Sequence, residues 1–264
     1  GVIRDIADPI SDYATQLKGS AYDGVSIKDV LQMSSGVRWN EDYSDRDSDI
    51  HRLGRAIVGD SGMDEFLTGV VRDAEPGTRC QYNSADTQAL GALLIAATGR
   101  PMADYMAEKL AEPLGFEHEG FWLLDHARVE MALGGLNLTA RDYAKFAELY
   151  RLGGRWRGEQ IVPKAWVEAS LRPDGPHTQP GEPMIAGFKL PMGYGYQWWL
   201  PEGDSGEFSG VGVYNQYLYV DPTAGVTIVK QSGNRCYGTT PGEATNRDLE
   251  TMAFLRAIAR SFDA

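Results

Sequence analysis

From Gly193 onward the sequence changes character, and that change limits the folds open to it. Gly193–Leu200 alternates and is rich in aromatic side chains, as strands are. Tyr214–Val220 follows, then Asp221-Pro222 as a turn, then Gly225–Gln231, so the last two segments predict a hairpin. Glu243–Phe262 reads as one long amphipathic helix. Upstream, the periodicity is helical. A short helix over Ser26–Met33 has Ser26 as N-cap and Asp29 in the capping-box position. Further helices are expected over 63–72, over Ala85–Thr98 (closed by Gly99 and Pro101) and over Met102–Ala111, stopping at Pro113-Leu114-Gly115. Two more follow, Thr139–Arg151 ending at Gly153-Gly154, and Pro163–Leu171. Gly36–Asp49 carries no period and reads as a long loop, of the kind that is often functional. A helical middle, a C-terminal antiparallel sheet and a closing helix make an α+β arrangement, without internal repeats.

Composition excludes some roles. The 37 acidic residues outnumber the 25 basic ones for a formal net charge of -12, which repels phosphate backbones and makes nucleic acid an unsuitable partner. The longest near-apolar run, Ala89–Ala97, is far too short to span a bilayer. Cys80 and Cys236 lack CxxC spacing and read as two reduced, partly buried thiols of a cytoplasmic protein, with one disulfide between them as the alternative. The histidines are scattered (His51, His118, His126, His177), and no metal site is expected.

Three segments carry the chemistry. Tyr82, in Tyr82-Asn83-Ser84, stands after a turn and just before a long helix, where a phenol beside a lysine ammonium could exchange protons with a serine hydroxyl. Taken alone, such a tyrosine is more often structural. Phe208-Ser209-Gly210-Val211-Gly212-Val213 places small residues before a strand, where backbone N–H groups can face an open site, or else simply forms a bulge or turn at a sheet edge. Asn40-Glu41-Asp42-Tyr43 and Trp198-Trp199 supply aromatic side chains to line a cleft, though successive strand residues face opposite sides and one tryptophan belongs to the core.

In their order and spacing these features resemble the serine β-lactamase and penicillin-recognising superfamily, and within it the 6-aminohexanoate-dimer hydrolases and related carboxylesterases. The resemblance runs over nearly the whole chain. It includes Leu17–Gly24, Asn40–Tyr43, Gln81–Thr87, Gly134-Gly135 with Thr139–Asp142, Gln197–Trp199, and Ser209–Gly212 through Asp221-Pro222. It implies a β-lactamase/D,D-peptidase-like fold, an antiparallel sheet flanked by helices plus a mostly helical lobe. Residues 1–190 would form that lobe and its active-site loops; 191–264 would add strands and the closing helix to one intertwined catalytic unit. Tyr82 then matches the proton-shuttling tyrosine of a Tyr-x-Asn motif whose third position is Ser84 here. Val213 falls where the family supplies an oxyanion N–H, beside Gly212, and Tyr43 and Trp199 fall where substrate is contacted. Phe208-Ser209-Gly210 replaces the Lys-Thr-Gly of true β-lactamases, which favours esters or linear amides over β-lactams. Gly54 stands where an acidic residue would hold a substrate amine, and Leu133 at a site that is polar in better amidases. An esterase with at most slow amide cleavage is implied, needing neither cofactor nor metal.

The family nucleophile, the serine of Ser-x-x-Lys, does not occur in these 264 residues. Thr15-x-x-Lys18, Thr227-x-x-Lys230 and Ser35-x-x-Arg38 match loosely, and arginine stays protonated and cannot serve as a base. Gly1-Val2-Ile3-Arg4-Asp5 reads as the end of a helix entering a turn. By family register the nucleophile is expected roughly 20 residues upstream of Gly1, together with the first strands of the sheet, since three strands alone would leave a sheet face open. Expected partners are a small ester or amide and this N-terminal segment. The rival expectation is a non-catalytic binding module with the same cleft; a cell-wall D,D-peptidase ranks third.

Overall fold

In a computed structural model of the chain, residues 1–59 and 61–262 are described. After two single 3-10 turns come α1 (Ile27–Leu31), α2 (Asp49–Val58), α3 (Gly62–Gly69) and α4 (Ser84–Thr98). Next come α5 (Met102–Met106), a π-helical stretch over Ala107–Ala111, α6 (Glu112–Leu114), β1 (Phe121–Trp122), β2 (Leu136–Asn137) and α7 (Ala140–Arg151). Small hairpins β3 (Arg155–Trp156)/β4 (Glu159–Gln160) and β5 (Met184–Ile185)/β6 (Phe188–Lys189) flank α8 (Lys164–Ser170). The main sheet holds β7 (Met192–Tyr194), β8 (Trp199–Pro201), β9 (Phe208–Gly212), β10 (Gln216–Asp221) and β11 (Val226–Lys230). It is antiparallel throughout, in the order β11-β10-β9-β8-β7. Helices α9 (Glu243–Asn246) and α10 (Asp248–Arg260) close the chain.

Local chemistry accounts for the helix starts. The Ser26 hydroxyl accepts from Asp29 N–H at 3.0 Å, and the Thr139 hydroxyl accepts from Asp142 N–H at 3.2 Å. Asn83 caps α4 by accepting from the N–H groups of Ala85 and Asp86. Gly99, at φ 67°, ends that helix in the left-handed conformation.

Three expectations give way. Gly193–Leu200 is not one strand but a tight β7–β8 hairpin, because Gln197 turns left-handed at φ 63° and Gly195 N–H bonds Trp198 O at 2.9 Å. Phe208–Gly212 is a full strand between β8 and β10, so the sheet has five strands here rather than three. The closing helix breaks at Arg247, whose φ of 58° is incompatible with a continuous helix. Beyond these, α2 begins where the loop reading stopped, and the α5 helix runs past Pro113 through the wider π turn to Gly115.

The sheet is covered on both faces, and β10 shows this by alternation. Tyr217 and Tyr219 pack with Tyr194, Trp199, Met252 and Leu255 on the α10 side, while Val220 and Leu218 pack with Trp198, Phe208 and Ala147 on the α7 side. Trp198 and Trp199 therefore do face opposite ways. A separate core around α4 gathers Leu17, Tyr22, Val30, Leu53, Met63 and Ala89. Among the described residues no helix is long and apolar enough to cross a membrane. Both thiols are free; Cys80 is buried as expected, but Cys236 is exposed rather than partly buried.

Candidate active site

Between α4, the β5–β6 hairpin, the end of β9 and the α9–α10 corner lies a cavity of about 460 Å³. Tyr43, Tyr82, Trp199, Gly212 and Val213 all line it, so the structure brings every sequence-predicted site residue to one place. Gly54 and Leu133 lie elsewhere: Gly54 is exposed on α2, and Leu133 packs against the α4 core.

Tyr82 is placed by its neighbours on both sides. Its N–H donates to Met184 O at 2.7 Å, tying it to β5, and two residues later α4 begins. Its ring stacks on Trp199 with centroids 5.5 Å apart and meets the edge of Tyr194 at 6.4 Å. Among the described residues nothing hydrogen-bonds its hydroxyl. Burial holds the phenol well above its ordinary pKa, and the negative charges of Glu41 and Asp248 push it further the same way. The ring is thus a neutral proton donor that needs a nearby cation to give up its proton readily. Among the described residues the one lysine on the cavity wall is Lys189, which is exposed and paired with Glu182 at 2.7 Å.

Glu41 is the hub beneath Tyr43. It is wholly buried and accepts from Tyr43 Oη at 2.9 Å, Ser84 Oγ at 2.7 Å, Ser84 N–H at 3.2 Å and the Trp39 indole. Burial raises its pKa, while those donors, led by Ser84, oppose the rise. Four donors satisfy a buried carboxylate, so Glu41 links the 40–43 loop to the first turn of α4. Tyr43 in turn meets Tyr237 edge-on at 5.9 Å, and its carbonyl bonds His51 Nε2 at 2.9 Å.

On the opposite wall, Gly212 admits no side chain without displacement of Gln216, whose Cβ would lie 3.0 Å from an added Cβ. The N–H of Val213 has no acceptor among the described residues. Asp248, the first residue of α10, accepts from Tyr217 Oη at 2.7 Å, Tyr237 Oη at 3.1 Å and Asn215 Nδ2 at 3.2 Å. Burial raises its pKa against these donors. Asp248, Tyr237 and the Glu41 hub were not assigned roles from the sequence. Glu41 stood in the loop singled out for its aromatic residue, but the others are joined only by folding.

The loose Ser-x-x-Lys matches are occupied otherwise. Ser35 is buried and donates to Asp86 at 2.7 Å, and Thr227 donates to Glu148 at 2.8 Å from within β11. Lys230 is committed to Asn215 O at 3.0 Å. No group of acidic, histidine and cysteine residues suited to hold a metal ion is found among the described residues.

With this cleft set between a helical face and an antiparallel sheet, comparison with known proteins is direct. The family profile described as Beta-lactamase matches residues 4–246, and the chain belongs to that family. A 6-aminohexanoate-dimer hydrolase of Paenarthrobacter ureafaciens is 32% identical over 236 residues, which cover 86% of this chain and 59% of that protein. The chain thus spans about three-fifths of that relative's length. A Bacillus anthracis structure provisionally assigned as a 6-aminohexanoate-dimer hydrolase superposes with a TM-score of 0.82 at 25% identity, over 99% of this chain and 67% of that one. A family VIII carboxylesterase shares the fold at TM-score 0.66 and 16% identity, over 96% and 77% of the two chains.

Proposed function

We propose that this chain carries most of a serine hydrolase that cleaves small esters or linear amides through an acyl-enzyme. One observation carries the reading: a phenol, Tyr82, and a backbone N–H, Val213, both without partners among the described residues, line the same aromatic-walled cavity. The first is suited to move protons and the second to stabilise an oxyanion. The curated relative that acts on 6-aminohexanoate dimers, and the carboxylesterase of the same fold, support the ester or amide class.

In this reading the nucleophile is a serine, with its lysine, from outside Gly1–Ala264. Its attack on the carbonyl forms a tetrahedral oxyanion held by the Val213 N–H and the serine's own N–H. Tyr82 passes the serine proton to the leaving group, and water then releases the acid by the same route reversed. The lysine ammonium supplies the positive charge that offsets Glu41 and Asp248 at the phenol. Tyr43 and Trp199 hold the substrate, Gly212 lets it approach the backbone, and no cofactor is required. A cytoplasmic setting agrees with two free thiols.

The full-length protein tests this. Tyr82→Phe lowers turnover of a chromogenic ester by about a hundredfold or more. A fluorophosphonate adduct, located by intact mass and peptide mapping, identifies the serine. An unchanged rate in the variant removes Tyr82 from the mechanism, whereas the absence of both turnover and an adduct in the full-length protein overturns the reading in favour of a binding module with the same cleft.

A further inference from the structure

The turn between β9 and β10 holds two successive residues in the left-handed region, Tyr214 at φ 62° and Asn215 at φ 66°. Asparagine visits this region readily, but a bulky aromatic residue does so only under strain. Something must hold Tyr214 there. Asn215 is buried, with 4% of its surface exposed, and both ends of its side-chain amide are engaged. Its Nδ2 donates to Asn246 O at 2.7 Å and Asp248 Oδ1 at 3.2 Å, and its Oδ1 accepts from Asn234 Nδ2 at 2.8 Å. Its backbone carbonyl accepts from Lys230 Nζ at 3.0 Å. The ring of Tyr214 meets the edge of Tyr237 at 5.9 Å, and Tyr237 is itself fixed through its hydroxyl to Asp248.

One turn therefore ties together β11, the strap over residues 232–242 and the α9–α10 corner. The residue just before the strained pair is Val213, which lines the cavity and whose N–H has no acceptor among the described residues. That N–H lies in the peptide plane joining Gly212 to Val213, where β9 leaves its last pairing with Gln216 of β10 for the turn. If Tyr214 relaxed to negative φ, the turn could not return the chain to Gln216 opposite Gly212, and the last β9–β10 pair, which holds the peptide entering Val213, would be lost.

We infer that Asn215 is a positioning residue, whose hydrogen bonds lock the strained Tyr214–Asn215 turn so that the Val213 N–H stays aimed into the cleft. The inference rests on the hydrolase reading above. It also explains why a tyrosine is tolerated at a backbone position that glycine would occupy without strain.

The experiment uses the full-length protein, a p-nitrophenyl ester and an arylboronic acid that mimics the tetrahedral adduct. Removing an oxyanion donor outright costs on the order of 10²–10³ in kcat, so misdirecting one by Asn215→Ala is expected to cost about tenfold to a hundredfold. KM stays within about threefold, and boronate affinity weakens in step with kcat/KM, because the N–H acts on the tetrahedral state. Adding Tyr214→Gly relieves the strain and recovers at least about half of the loss on a logarithmic scale. If Asn215→Ala does not fold, Asn215→Gly gives the same reading, since glycine adopts this φ freely. A kcat within twofold of wild type, or a loss of kcat with unchanged boronate affinity, overturns the inference. Tyr82→Phe run in parallel separates the two levels. If that variant is crippled while Asn215 variants are not, only the positioning role fails; if the wild-type protein neither turns over the ester nor binds the boronate, the hydrolase reading and this role fall together.

Discussion

Asp86 makes the stability of this protein depend on pH in an unusual direction. It lies on the first turn of α4, with no surface exposed. Its Oδ1 accepts from Ser35 Oγ at 2.7 Å, Tyr22 Oη at 2.9 Å and Asn83 Nδ2 at 3.1 Å, while Oδ2 is buried and has no hydrogen-bond partner among the described residues. Burial dominates over these donors and pushes its pKa up to about 7. In the unfolded chain the same carboxyl titrates near ~3.9. Between those values the native state holds a proton that the unfolded state has released, so stability is full below pH 4 and falls as pH rises through 7. Three pH units at about 1.4 kcal/mol each give roughly 4 kcal/mol as an upper figure, and partial relaxation of the site leaves about 2–4 kcal/mol. The perturbation is Asp86→Asn, which cannot titrate. Its Nδ2 would stand where Oδ2 has no partner, a penalty of about 1–3 kcal/mol that does not change with pH. Urea unfolding of both proteins at pH 4.5, 6 and 8 isolates the group, because the raised carboxyls Glu41, Asp64, Glu243 and Asp248 and the lowered His177 remain in both. The variant should gain about 2–3 kcal/mol on wild type between pH 4.5 and 8, since only about 2.5 of the three pH units fall inside that window. Parallel curves, within about 0.5 kcal/mol, would refute the claim that Asp86 is protonated in the native protein at mildly acidic pH.

Other outcomes follow from single contacts. Gly195→Ala would put a Cβ 2.0 Å from Ser170 O, so the β7–β8 hairpin must move and the urea midpoint should fall by about 1–3 kcal/mol of stability. Glu41→Gln places an amide N–H against donors from Ser84 or Trp39 and should cost about 1–3 kcal/mol. It also removes a negative charge that raises the Tyr82 pKa, so the alkaline limb of ester hydrolysis moves to lower pH. Exposed Cys236 should react with Ellman's reagent in the native protein. Cys80, which is buried with its thiol pKa raised by desolvation, should react only after denaturation.

What the sequence makes legible here is local. Ser26, Thr139 and Gly99 mark helix ends because their chemistry acts within a turn, and the structure finds each in that role. The Asp221-Pro222 turn marked the β10–β11 hairpin, and the side chains of β10 do divide between two cores. Alternation failed at Gly193–Leu200, because a left-handed Gln197 leaves no mark on an aromatic alternating run. It failed also at β9, whose Ser-Gly-Val-Gly text has little strand propensity and is held as a strand by its partners β8 and β10. The cleft-lining residues were legible only through collinear resemblance. The polar network around Asp248 was not, because Asn215, Tyr217, Tyr237 and Asp248 meet only once the turn, the strap and the last helix have been brought together.

The cleft's two groups without partners among the described residues come from opposite parts of the chain, Tyr82 from the entrance to α4 and Val213 from the turn just after β9. Their relative placement must therefore be fixed by contacts that cross between the helices and the sheet. Gln197 is one such contact: its N–H and its Nε2 both donate to Leu31 O at 3.1 Å, and its Oε1 accepts from Thr87 Oγ1 at 2.7 Å. It thus pins the β7–β8 turn to the end of α1 and to the first turn of α4. Two residues on, Trp199 stacks on Tyr82, while its backbone pairs with Ser209 of β9. The path from the phenol to the oxyanion-side backbone is consequently short: one ring stack, one strand pairing and four residues of β9. The left-handed strain at Gln197 is placed where the hairpin must turn back to deliver Trp199 to Tyr82. A regular strand over 193–200 would have carried that tryptophan past the ring it stacks on.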